Sequence, residues 1–176
     1  MRRLLILLAS LALGAGLWAA PVAAGPSSCG LVWGSLDESA SGYARATVEN
    51  VRVGRHACFD RMVVDLSGPA AGYHVGYVDQ VTMDGSGLPV PLRGGAFLHV
   101  TVQAPAYDDA GNATFRPAQP GEVVNVAGYD TFRQLAWAGS FEGRTGFGLG
   151  VRARLPFRVL TLDHPARVVI DVAHHW

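Results

Sequence analysis

The chain contains no lysine: its 14 basic residues are all arginine, set against 14 acidic residues. Serine–lysine dyad chemistry is thereby excluded. The arginines form no basic block, and with Arg2 and Arg3 set aside 12 of them face 14 acids (12 − 14 = −2). A nucleic-acid groove, which needs clustered cations along a phosphate backbone, is disfavoured. Cysteine is scarce, with Cys29 and Cys58 alone, so no Cys-x-x-Cys motif exists. His56, His74, His99 and His164 stand on separate segments without His-x-Glu or His-Glu-x-x-His spacing. Ser86 lies in Gly85-Ser86-Gly87, which is not the Gly-x-Ser-x-Gly elbow of a hydrolase. The chain is read as a non-enzyme that needs no cofactor.

Two further stretches are weighed against metal binding. Asp108-Asp109-Ala110-Gly111-Asn112 echoes a calcium turn, but Glu122 falls after two prolines and cannot serve as the later bidentate ligand, so a solvated loop is expected. His174-His175 reads as a frayed terminus. No metal is expected.

What is present begins with an export signal over residues 1–24. Arg2 and Arg3 precede an apolar run from Leu4 to Ala20, and Val22-Ala23-Ala24 supplies a small-residue cleavage site. The alternative is an uncleaved anchor helix, for which the run is short. Cleavage leaves a secreted protein of the extracellular envelope with no membrane span and 152 residues (176 − 24), a single-domain size. In an oxidising compartment Cys29 and Cys58 are most simply a disulfide. Closing a loop of 29 positions (58 − 29) stabilises a fold by roughly 3–4 kcal/mol on the chain-entropy account. It would pin an N-terminal arm, residues 25–46, with Trp33 as a second strap. A lipidated Cys29 is the rival, although Pro26-Ser27-Ser28 lacks the residues usual before a lipoprotein cleavage site.

The domain proper is assigned to residues 47–176, where apolar residues recur with period two. Strands are expected over Thr47–Gly54, Phe59–Leu66, Tyr73–Met83 (long, or bulged), Phe97–Val102 and Gly143–Arg154. A hairpin is expected from Phe157 to Ala173 around Asp163-His164-Pro165, with Val168, Ile170 and Val172 facing a core and Arg167 and Asp171 facing away. Thr131–Phe141 also fits helical spacing through Phe132, Leu135 and Ala136, but Gly139 and the neighbouring β signals favour a strand. Gly146, Gly148 and Gly150 share one face, leaving that backbone open to close packing. The stretch from Ala104 to Gly128 is a long connection of the kind tied to function or disorder. These signals predict an all-β fold, an antiparallel β-sandwich of about seven or eight strands.

An ordered set of motifs adds a resemblance. Phe59-Asp60-Arg61, Tyr73-His74-Val75-Gly76-Tyr77-Val78, Asp84-Gly85-Ser86-Gly87, Phe141-Glu142-Gly143, Phe157-Arg158-Val159 and Pro165 to Val172 together resemble the AMIN-like domain of secreted actinobacterial proteins, over about residues 48–174. The resemblance implies kinship with AMIN modules, β-sandwiches that target cell-wall amidases and secretin-type pores to the envelope, in several cases by binding peptidoglycan. Such modules commonly adjoin a catalytic or pore-forming domain, whereas here the strands run to within three residues of Trp176, so the expected work is binding, or work done together with another polypeptide.

Glycan binding calls for aromatic faces and forked hydrogen-bond donors. The binding candidates are Arg61, Tyr73, Tyr77, Arg133, Trp137, Arg152, Arg154 and Arg158, with Tyr129 also available. The competing reading puts the aromatics in the core and pairs the arginines with Asp60, Asp65, Glu142 or Asp171 across neighbouring strands. The expected partner is peptidoglycan or another envelope glycan; the alternative is an envelope protein recruited at a sheet edge.

Overall fold

A computed structural model describes residues 29–42 and 45–176; the export signal read over residues 1–24 lies outside them. The described residues form nine strands and no helix: β1 (Glu38–Ala40), β2 (Thr47–Arg55), β3 (Phe59–Ser67), β4 (Tyr73–Val78), β5 (Ala96–Val102), β6 (Phe132–Phe141), β7 (Arg144–Val151), β8 (Phe157–Asp163) and β9 (Ala166–Ala173). A five-stranded sheet in the order β1-β4-β5-β7-β6 packs on a four-stranded sheet in the order β2-β3-β9-β8, all pairs antiparallel. The β-sandwich is the expected class, with nine strands instead of seven or eight. The additional strand is β1, three residues within the arm, too short for any alternation to register.

Alternation builds the layers. Val168, Ile170 and Val172 of β9 share one core with Met62 and Val64 of β3 and with Leu98, Val100, Phe147 and Leu149 of the opposite sheet. Each such side chain, fully buried, contributes about 1.5–3 kcal/mol. Between β6 and β7, Glu142 and Gly143 take φ values of 48° and 77°. Consecutive left-handed residues make a type I′ turn, whose twist matches the flanking strands.

Two expectations change. Tyr73–Met83 is not one long strand: β4 ends at Val78, and the chain doubles back in a tight excursion where Val90 N–H donates to Val81 O and Met83 N–H to Leu88 O. The apolar phase carries through the bend, so sequence periodicity does not reveal it. The excursion lies on the glycine face of β7. A methyl on Gly148 would meet Leu92 and Val81, and one on Gly150 would collide with the Arg93 carbonyl. The long connection between β5 and β6 is likewise packed down. Ala104, Ala106 and Val126 are buried, Val48 N–H of β2 donates to Pro105 O (2.8 Å), and Val123 N–H donates to Leu135 O of β6 (2.8 Å). It therefore covers edge groups of β2 and β6 that would otherwise invite another strand. Within it, Asp108 accepts hydrogen bonds from the backbone N–H groups of Ala110 and Asn112 and from the Asn112 side chain. The Asn112 amide holds the Asp108 carboxyl below the usual range.

Beneath the excursion, His99 Nε2 and Asp84 Oδ2 are both buried without a hydrogen-bond partner among the described residues. Burial pushes the His99 imidazole below its ordinary value, Asp84 opposes that shift and His74 adds to it. The unfolded chain therefore takes up this proton first, at about pH 6.5. Stability from His99 is complete above that pH and is lost as pH falls toward the lower folded value, with a slope of at most about 1.4 kcal/mol per pH unit. Urea unfolding followed from neutral pH downward will show a shallower acid loss in His99→Gln than in the wild type. Identical slopes would remove His99 as the cause.

Candidate functional site

The register sets Arg61 of β3, Asp171 of β9 and Arg158 of β8 side by side on the outer face of the four-stranded sheet. Arg61 donates through Nε and Nη2 to Asp171 Oδ1 (2.6 Å) and Oδ2 (2.8 Å), and Arg158 Nε donates to Oδ2 (2.9 Å). Asp171 points away from the core, as expected, yet its side chain has no accessible surface, while the arginines keep 28% and 36% of theirs. Two guanidiniums thus share one carboxylate, leaving the cluster a net positive charge. The hydrogen bonds to Asp171 raise the Arg61 pKa further. Among the described residues neither Nη of Arg158 has an acceptor, so that side of its fork is free.

Aromatic rings frame the cluster. The Arg158 guanidinium lies over Trp33 (4.4 Å to the ring centre) and Arg61 over Phe59 (5.2 Å). Trp33 and Phe59 meet at 5.5 Å, and His56 stacks on Phe59 at 4.5 Å. The arm delivers Trp33. Cys29 is bridged to Cys58, the residue before Phe59, so Trp33, four residues after Cys29, arrives beside it. The bridge accordingly anchors the arm at the β2–β3 connection.

The arm then crosses the β8 edge. Phe157 N–H donates to Gly34 O (2.8 Å), Val159 N–H to Glu38 Oε2 (3.0 Å), and β1 joins β4. Arg154 Nη2 donates to Ser35 O (2.8 Å) while the guanidinium lies over Tyr77 (4.8 Å). Tyr77 Oη donates to Leu155 O and accepts from Leu155 N–H, and burial raises its pKa. Tyr77, Asp79, Phe97 and Arg154 line a cleft of about 220 Å³, below the roughly 300–1,000 Å³ of drug-sized pockets. Trp176 Nε1 donates to Arg154 O nearby (3.0 Å).

The structure thus brings Arg61 with Arg158, and Tyr77 with Arg154, along the two sides of one arm. The other candidates go elsewhere. Tyr73 is on the inner face of β4 with 9% accessible surface, so it is a core residue and offers no ligand face. Trp137 packs against Phe115 and Phe147. Arg133 donates to the carbonyls of Tyr129, Asp130 and Phe132 and so holds the turn into β6. Arg152 donates to the His174 carbonyl. His174 is not frayed: it is 6% exposed and its N–H donates to Cys58 O. The sequence pattern marks Trp33 as a strap only and does not single out Phe59, Ser35 or Phe97 as site residues. A signal for the first two was available, since a Cys29–Cys58 bridge puts Trp33 and Phe59 together.

No curated protein and no solved structure matches the chain. The family model of the AMIN-like domain matches residues 46–174, well over half of the 176 residues and every strand but β1. Arg61, Asp171, Arg158, Tyr77 and Arg154 lie inside the match, whereas Cys29, Trp33 and Ser35 precede it. The chain therefore belongs to the AMIN-like domain family.

Proposed function

We propose that the protein is an exported, non-catalytic module of the cell envelope whose ligand is peptidoglycan or a related wall glycan. The observation that carries this reading is the Trp33–Arg158–Phe59–Arg61 stack around Asp171, with its net positive charge and its half-free fork. Aromatic planes suit the C–H faces of sugar rings, and a guanidinium fork suits the carboxylates of wall peptides. Family membership supports an envelope role, and the Cys29–Cys58 bridge suits an oxidising compartment.

Co-sedimentation of the purified protein with insoluble peptidoglycan tests the reading. Arg158→Ala keeps the Arg61–Asp171 pair and the fold but weakens binding by roughly tenfold, and Arg158→Lys restores little because it lacks the planar fork. A wild-type protein that stays wholly in the supernatant refutes the proposal.

A second reading, recruitment of an envelope protein by strand addition, is favoured by one observation. Among the described residues the arm covers the β8 edge at Phe157 and Val159 but not at Thr161–Asp163. Cross-linking in cells that captures one protein and no glycan would support it.

A further inference from the structure

Asp171 takes two arginines, but Asp60, equally inaccessible, takes none among the described residues. A buried carboxylate is costly unless it is paired, hydrogen-bonded or bound to a metal. What faces it is His174: Nε2 lies 3.1 Å from Asp60 Oδ1 and 3.8 Å from Asp130 Oδ2, and the three ligand-type atoms lie within 4.8 Å of one another. We propose that Asp60, Asp130 and His174 form a site for one divalent transition cation of the zinc class.

The donor set is the argument. One imidazole nitrogen with two carboxylate oxygens is a borderline set that suits Zn²⁺, and a neutral imidazole with two carboxylates balances a dication. Ligands about 2.0–2.2 Å from a tetrahedral ion lie roughly 3.3–3.6 Å apart. The 3.1 and 3.8 Å separations bracket that range, and Asp130, with its side chain 59% exposed, has room to adjust. Its open side leaves a fourth position for water. The surroundings already hold two of the three ligands, Asp60 and His174. Asp60 Oδ2 accepts from the backbone N–H groups of Thr131 (2.6 Å) and Phe132 (3.0 Å), which leaves Oδ1 turned toward His174. The His174 backbone is held at both ends, its N–H on Cys58 O and its carbonyl by Arg152. Thr131 Oγ1 donates to Ala173 O (3.0 Å) and ties the start of β6 to the end of β9. A bound cation would therefore join the two sheets. No linear motif marks the site because its ligands come from three separate segments. The site is independent of the glycan reading.

The test uses the purified protein stripped with chelator and titrated with Co²⁺ alone, then with Zn²⁺. The expected result is tetrahedral visible absorption at about one equivalent of Co²⁺, displaced by Zn²⁺. A rise in Tm of roughly 5–10 °C is expected when free Zn²⁺ is about a hundredfold above its Kd. Asp130→Asn, at an exposed position, leaves the metal-free Tm unchanged and lowers affinity by about tenfold or more. His175→Ala, which removes the neighbouring exposed ring, leaves affinity unchanged. Absence of the absorption, wild-type affinity in Asp130→Asn, or loss of binding in His175→Ala would each overturn the proposal, leaving a histidine–aspartate pair or an adventitious surface ion.

Discussion

Replacing Cys29 and Cys58 together by serine is expected to lower stability by roughly 3–4 kcal/mol, the chain-entropy value for a loop of this length, and to release the arm from the outer face. The bridge spans 29 positions, and its far end is adjacent to Phe59, so the loop it closes includes Trp33, β1 and the whole of β2. Without it, Trp33 stays in place through its contacts with Phe59 and Arg158 and the Gly34 and Ser35 carbonyls that accept from Phe157 and Arg154, while further along the arm β1 keeps its pairing with β4 and Glu38 its hydrogen bond from Val159. Exposed stacks of this kind contribute about 0.5–1 kcal/mol each, too little to hold the arm as firmly as a covalent tie. Urea unfolding with and without reductant measures the first effect. Proteolysis in the arm and retention on peptidoglycan measure the second, since the proposed surface loses Trp33 with the arm. Equal unfolding midpoints in both conditions would show that the arm is held by its contacts and not by the bridge.

Asp171→Ala should cost about 2–3 kcal/mol. Breaking a fully buried ion pair costs about 3–5 kcal/mol because a charge is left stranded. Here the two guanidiniums remain partly exposed and water can replace some of what they lose, so the lower figure is expected. The variant turns a cluster with one compensated positive charge into two uncompensated like charges, on the strands that flank β9. Thermal unfolding will report the loss. A change within about 0.5 kcal/mol, ordinary for surface substitutions, would mean that solvent already screens both arginines.

How much could be read beforehand follows from where the period of two survives. β9 and β7 are regular, and their inward and outward residues, including Asp171 and the glycine face, were legible. β6 looked ambiguous because bulges interrupt its pairing with β7 between Phe132 and Gln134 and between Trp137 and Gly139. The extra residue at Arg133 turns a two-residue step into the three-residue step from Phe132 to Leu135, which imitates a helix. The bulge between Val48 and Asn50 does the same in β2, returning Val51 to the core. The site was legible in kind, as arginines and aromatics, but not in membership. Tyr73 and Tyr77 have the same inward phase on β4, and only the position of Tyr77 toward the strand end, where Arg154 and Leu155 reach it, separates a cleft-lining ring from a core ring. The Asp60–Asp130–His174 convergence left no trace in the sequence because β3–β9 pairing brings together Asp60 and His174, more than a hundred positions apart, and the packing of the second sheet adds Asp130 from a third segment.

The strand excursion over Gly148 and Gly150 also decides which way round the molecule can lie. With its glycine face roofed by the excursion, β7 has no flat β surface there to offer a polymer, whereas among the described residues the outer face of β3, β9 and β8 carries the arginine cluster. On the proposed glycan reading, murein would meet the protein on the arginine-bearing face, and each bound copy would turn its roofed side outward.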